Sequence, residues 1–182
     1  MECIKSVVEI ISPIVIVVFA ALVWRTYEKL ADIESKRDQL HIKENATIVY
    51  YDLILGFKDL IKLKKSSMCE PHVLYFSDDW MKNVAALSSV LSPCQLELLY
   101  HLYGELHTLK EHLILCHKIP INTQDSDDYK KRKGYELEFI NMGTKLFNDF
   151  TNPLEDNIKG QLKKEYTEII IKLEKNIGLE SN

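Results

Sequence analysis

The feature that most constrains this chain is an apolar run near its N-terminus, VVEIISPIVIVVFAALVW, over residues 7–24. Between Ile10 and Trp24 only a Ser-Pro pair is not strongly apolar, and Glu9 carries the only charge of the run. Eighteen residues of helix extend about 27 Å, close to the roughly 30 Å thickness of a bilayer core. The run therefore predicts a transmembrane anchor over residues 7–24, preceded by a short N-terminal tail over residues 1–6.

The flanks of the run favour an anchor that is not cleaved. The side chains expected to contact lipid are Val7, Ile10, Ile14, Val17, Phe19, Leu22 and Trp24. Arg25, Tyr27 and Lys29 follow, and such aromatic and basic side chains hold a helix at the headgroup layer. One alternative is a cleaved signal peptide. A signal-peptide cleavage site needs small neutral residues, but Trp24 and Arg25 occupy the corresponding positions. The other is a buried core helix of a soluble protein, which the all-round apolar surface of residues 14–23 disfavours for a small domain.

Positive charge near the ends of the run predicts its orientation. Lys5 precedes it, whereas Arg25, Lys29, Lys36 and Arg37 follow it. The positive-inside rule then places the N-terminus outside and the C-terminal domain in the cytoplasm. The four cysteines, at positions 3, 69, 94 and 116, form no framework pattern, which agrees with a reducing compartment.

The remaining sequence has the composition and periodicity of an all-α protein. Residues 25–45 are densely charged and predict a helical stalk, and residues 46–178 predict a cytoplasmic antiparallel bundle of about four to five helices. The predicted bundle helices cover residues 46–65, 80–91, 93–117, 128–150 and 153–177. Residues 179–182 are expected to fray.

Local start signals support several of these helices. Ser92 and Gln95 enclose Pro93 in the arrangement of a capping box, which predicts a helix start at Pro93. Ser77 followed by two aspartates predicts a second N-cap. Gly178 is the predicted end of the last helix.

Histidines on the predicted helix 93–117 give the only hint of a chemical site. His101, Glu105 and His112 fall on one side of that helix, and His and Glu four residues apart can ligate one metal ion. However, eleven residues separate the two histidines by about 16 Å along the axis, so a site would need ligands from another helix, such as Glu136 or Glu138. We regard the three residues as weak metal candidates and predict no catalytic residue, metal site or cofactor.

Two basic clusters are candidate contacts with the membrane surface. Their residues are Lys62, Lys64 and Lys65 in the first cluster and Lys130, Lys131, Arg132 and Lys133 in the second. Bases near a cytoplasmic membrane face attract anionic lipid. The alternative is that neighbouring acids neutralise them. The chain carries a net charge of −4, so no nucleic-acid partner is expected.

Three functions are compatible with this organisation. The leading hypothesis is a single-pass membrane protein that binds another protein, or itself, at the cytoplasmic membrane face, with membrane lipid as its other partner. The first alternative is a bacterial membrane effector, for example in antiphage defence, that oligomerises and perturbs the bilayer. The second is a metal-dependent enzyme that uses the His-bearing helix. No nucleotide-binding, hydrolase or zinc motif occurs in the sequence.

Overall fold

The computed structural model describes residues 2–66, 74–119 and 127–179, without the side chains of residues 2–14 and of His117. Its helices are α1 (Glu2–Lys65), α2 (Trp80–Ala85), α3 (Pro93–His117), α4 (Asp127–Leu146), α5 (Ile158–Gln161) and α6 (Lys164–Ile177). Short 3-10 turns at Ala86–Ser89 and Glu155–Asn157 complete the regular structure. The described ranges contain no strand, and the predicted all-α class is confirmed.

Helix α1 runs without interruption through the predicted anchor, the predicted stalk and the first predicted bundle helix. Neither Gly nor Pro occurs between Pro13 and Gly56, so nothing in the sequence ends the helix at residue 24 or at residue 45. The contacts divide the chain into two compact units, residues 1–41 and 42–182, and this boundary lies within α1.

The membrane-spanning prediction for residues 7–24 is not confirmed. Val7, Ile10 and Ile14 lie outside the described side chains. In the part of the chain that the structure does describe, no helix carries an apolar stretch sufficient in length to cross a membrane.

The core of the second unit gathers one apolar face from each of its main helices. On α1 this face consists of Ala46, Val49, Leu53, Phe57, Leu60, Ile61 and Leu63, all at most 1 % exposed. Tyr50 and Ile54, which lie beside this face, are only partly buried. A cluster of phenylalanine rings joins α1 to the segment after α4, with Phe57 and Phe147 6.2 Å apart.

The helix starts follow their sequence signals only in part. At α3 the capping box is confirmed, because Ser92 Oγ accepts from the Gln95 N–H at 3.3 Å and Gln95 Oε1 accepts from the Ser92 N–H at 3.1 Å. The predicted N-cap at Ser77 is wrong. Helix α2 begins at Trp80 without a side-chain cap, and the Ser77 N–H instead donates to Asp52 of α1 at 3.0 Å.

The largest departure from the predicted bundle lies after α4. Helix α4 ends at Leu146 rather than near residue 150, and the single helix predicted over residues 153–177 is interrupted before α6. Here two backbone segments bond to each other: the Asn148 N–H donates to Gln161 O at 2.8 Å, and the Lys163 N–H donates to Leu146 O at 2.9 Å. These groups would otherwise continue the two helices. A regular bundle over residues 46–178 is therefore not confirmed.

The C-terminal end of the fold is capped as predicted. Gly178 adopts a left-handed conformation with φ of 81°, which only glycine reaches without steric cost. The Leu179 N–H then donates to Glu174 O at 3.0 Å. The remainder of the predicted frayed tail lies outside the described residues.

Candidate functional site

The first unit of the chain presents an uncovered apolar surface. Every large apolar side chain of α1 between Val15 and Leu40 is exposed, with Phe19 and Trp24 both at 68 %. Soluble monomers rarely expose contiguous apolar surface of this kind, and such surface marks a contact with a partner or a membrane. We call it the apolar surface of α1, and its large residues are Val15, Ile16, Val17, Val18, Phe19, Leu22, Val23, Trp24, Tyr27, Leu30, Ile33 and Leu40.

The predicted interface anchors follow the continuous apolar part of this surface. Trp24 Nε1 donates to Glu28 Oε1 at 2.9 Å, so the polar edge of the indole is satisfied one helical turn further along. Arg25 and Lys29 are exposed, as is Tyr27 at 69 %. The switch from an all-round apolar surface to one with charged residues therefore occurs at residue 25 within a single helix.

A groove of about 480 Å³ with a mixed polar and apolar lining lies between α3 and α4 and holds two of the predicted site residues, His101 and Glu105. Its lining consists of Tyr100, His101, Gly104, Glu105, Thr108 and Leu109 of α3 with Glu138, Asn141, Met142 and Lys145 of α4. Helices α3 and α4 run antiparallel, because Glu105 contacts Lys145 while His112, later on α3, contacts Glu138, earlier on α4. The groove is open and mixes both charges.

The structure does not bring His101, Glu105 and His112 together around one point. Lys145 Nζ occupies both oxygens of Glu105, at 2.5 and 2.7 Å. His112 Nδ1 is paired with Glu138 Oε2, and its ring stacks on Tyr135 with centroids 4.7 Å apart. Among the described residues, no three His, Cys, Asp or Glu side chains form a group that could hold a metal ion.

The acids considered as additional ligands take different roles. Glu138 does lie against His112, as the helical spacing allowed. Glu136 instead pairs with Lys133 at 2.6 Å and with Arg132 at 3.4 Å on its own helix. The hydrogen bond to Glu136 raises the pKa of Lys133, and the Coulombic attraction of the same carboxylate adds to that shift.

Both basic clusters meet acids of the same chain. Lys62 lies 3.7 Å from Asp59, and Lys65 lies 3.0 Å from Glu155. Lys64 sits over the Phe150 ring, 5.7 Å from its centroid. Lys130 and Lys131 lie 3.8 and 3.9 Å from Asp127 and Asp128. Arg132 and Lys133 both pair with Glu136. Because most bases of the two clusters lie beside acids, the clusters present little net positive charge to a lipid surface.

Two interior polar clusters were not predicted from the sequence. In the first, the buried Glu174 of α6 accepts from Tyr50 of α1 at 3.0 Å and from Lys159 of α5 at 2.9 and 3.0 Å. Burial raises the pKa of Tyr50 to about 12, and the bond to Glu174 adds to the effect. A glutamate in the last turns of a helix, such as Glu174, is normally exposed to solvent. The sequence therefore gives no sign that Glu174 is buried and paired, and only the tertiary packing shows it.

The second polar cluster holds the segment before α2 against α1 and α3. Asp52 Oδ2 accepts from the Ser77 N–H at 3.0 Å and from Tyr103 Oη at 3.4 Å, and burial raises the pKa of both Asp52 and Tyr103. The Trp80 ring stacks on Tyr103 with centroids 5.0 Å apart and on His107 at 5.9 Å. Within the described residues, His107 Nε2 is buried without a hydrogen-bond partner. The cluster connects α1, α2 and α3.

Similarity to other proteins supplies no function for this chain, because comparisons with protein-family models, with curated proteins and with solved structures each give no match.

Proposed function

We propose that this protein is a membrane-anchored interaction module. Residues 7–24 hold it in the bilayer, the helix that continues from them carries an association surface, and the helical domain of residues 46–178 faces the cytoplasm. The observation that carries the proposal is the apolar surface of α1, which its own unit leaves entirely uncovered from Val15 to Leu40. Covering such a surface needs lipid, another protein or a second copy of the chain.

The distribution of residues along α1 supports two kinds of contact on one helix. From Val15 to Trp24 the exposed residues are apolar on all sides, which fits lipid. From Arg25 onward the apolar residues narrow to a stripe among charged ones, which fits a protein surface. Because α1 contains no Gly or Pro between these two regions, the helix would hold the second region at a fixed distance from the first.

No specific observation supports either of the two alternative functions. The polar residues that a bilayer-perturbing effector would place at the membrane edge, Glu9 and Ser12, lie outside the described side chains. The metal-dependent enzyme would use Glu105 and His112, which are engaged by Lys145 and Glu138. All the basic residues of the two clusters except Lys64 lie beside acids, so the proposed membrane contact depends on the apolar segment.

Membrane attachment is tested by a charge placed within the apolar run. The full chain is expected to stay in the membrane pellet through high-salt and alkaline washes, and Val17→Lys is expected to move most of it to the supernatant. A lysine ammonium is strongly unfavourable at the centre of a spanning helix. The control is Ile33→Lys, at a position with similar exposure, 62 % against 67 %, beyond the run. Release of the wild-type chain by salt alone would contradict the anchor.

The orientation is tested by the exposed thiol of Cys94. In intact cells a membrane-impermeant maleimide is expected to leave Cys94 unmodified, and to modify it fully once the cells are opened, because the proposal places the domain inside. The read-out is the mass of the purified chain in a variant in which Cys3 and Cys69 are replaced by serine. Cys116 is buried and serves as the internal control that the fold is intact. Modification in intact cells would reverse the proposed topology.

A further inference from the structure

The apolar surface of α1 contains a regular seven-residue repeat. The positions 16, 19, 23, 26, 30, 33, 37 and 40 alternate in steps of three and four residues, the spacing of the a and d positions of a coiled coil. Six of the eight are apolar and exposed, namely Ile16, Phe19, Val23, Leu30, Ile33 and Leu40. Thr26 and Arg37 occupy the other two positions.

Between residues 15 and 24 every side chain is apolar and any register would fit, so the register is set by Leu30, Ile33 and Leu40, which keep this spacing among charged residues. An average of 3.5 residues per turn keeps the stripe in contact with a partner helix that winds around it with a left-handed supercoil. The repeat ends at Leu40, next to the boundary of the first compact unit at His41. Its extent therefore matches the part of α1 whose apolar side chains have no partner within their unit.

Charges beside the seam favour a parallel pair of identical helices. Lys29 directly precedes an a position and Glu34 directly follows a d position, so two parallel copies bring Lys29 of one helix opposite Glu34 of the other. Neither side chain forms an ion pair within the part of its own chain that is described. By two-fold symmetry the pair forms twice. In an antiparallel arrangement of the same seam, Lys29 faces Lys29 of the other copy and Lys36 faces Leu22, so neither lysine meets an acid.

We infer that the apolar surface of α1 binds a second copy of this chain as a parallel two-stranded coiled coil along the seam from Ile16 to Leu40. The inference deepens the proposed function and rests on it, because anchors in one membrane align the two helices in parallel. Arg37 at an a position fits a pair of helices, since its long side chain can reach solvent from a two-stranded seam at some cost in stability.

Disulfide cross-linking of the full chain in membranes tests the seam. In a background with serine at the four native cysteine positions, Ile33→Cys and Leu40→Cys are expected to give mostly covalent dimers under mild oxidation. Ser35→Cys is the matched control, because it lies in the same turn on the side away from the seam. Equal cross-linking at positions 33 and 35, or none at 33 and 40, would overturn the inference.

A charge exchange tests the same pair with all native cysteines present. Lys29→Glu is expected to weaken the dimer of the detergent-solubilised chain about tenfold, and adding Glu34→Lys is expected to restore it, as measured by light-scattering mass against concentration. A double variant no stronger than the single one would contradict the register. The two proposals can fail separately. A chain that stays in the membrane without cross-linking would contradict only the coiled coil. A chain that cross-links but is washed off by salt would contradict only the membrane anchor.

Discussion

Gly143→Ala is expected to lower the free energy of unfolding of the helical domain by about 3 kcal/mol, near the upper end of the cost of overpacking a core. A Cβ atom at this position would lie 2.0 Å from Cδ1 and 2.1 Å from Cε1 of Phe150. The Phe150 ring has no room to retreat, because Phe139 and Phe147 pack on it with centroids 5.5 and 5.3 Å away. The methyl group therefore has to displace a ring that is central to the core.

Helix α4 offers a matched control in Gly134, where an added methyl group would meet nothing within 4 Å. Gly134→Ala is expected to stabilise the domain by about 0.5–1 kcal/mol, because alanine loses less backbone entropy in a helix than glycine. Urea denaturation followed by Trp80 fluorescence, in a Trp24→Phe background, measures both variants on the full chain. Equal effects of the two substitutions would show that Phe150 does not pack on Gly143.

Glu174→Ala is expected to cost about 2–3 kcal/mol of unfolding free energy. The substitution removes the acceptor of Tyr50 Oη and of Lys159 Nζ, and the carboxylate side chain that it replaces is only 7 % exposed. Lys159 is 40 % exposed and can turn to water, so most of the cost arises from the lost Tyr50 hydrogen bond and from the space that the side chain leaves behind. The same denaturation assay measures the change.

Glu168, on the same helix, is the control for this substitution. It is 52 % exposed and lies 3.9 Å from Lys164, so Glu168→Ala is expected to change stability by less than about 0.5 kcal/mol. A second variant, Glu174→Gln, retains an oxygen that accepts from Tyr50 and is expected to fall between the two. A cost at Glu174 no larger than that at Glu168 would mean that the cluster of Tyr50, Lys159 and Glu174 does not hold α1, α5 and α6 together.

Much of the helical pattern was predictable because the signals that produce it are local. The capping box at Ser92, the glycine at position 178 and the apolar periodicity of α3 each act within a few residues. The absence of Gly and Pro from residue 14 to residue 55 likewise allows α1 to continue, although the composition changes twice along it. The predicted boundaries between anchor, stalk and bundle helix mark changes in composition, and the helical backbone of α1 continues across both of them.

The predictions that failed depend on contacts between distant segments. The helix expected over residues 153–177 is broken because Asn148 and Lys163 bond to backbone carbonyls across the gap, which no local pattern reveals. Likewise Ser77 bonds to Asp52, twenty-five residues earlier, instead of capping α2. The metal candidates separate because the antiparallel pairing of α3 and α4 sets Lys145 beside Glu105 and Glu138 beside His112.

The sequence by itself determined the all-α class, the start of α3 at its capping box, the end of α6 at Gly178 and the apolar character of the N-terminal helix, because helix capping and periodicity are short-range properties. Only the tertiary structure decided which polar groups are buried and paired, since Glu174, Asp52 and Glu105 resemble solvated surface acids until their partners are known. It also decided that the apolar surface from Val15 to Leu40 has no cover within its own unit. Burial depends on what packs against a residue, and within the described part of the chain nothing packs against this surface.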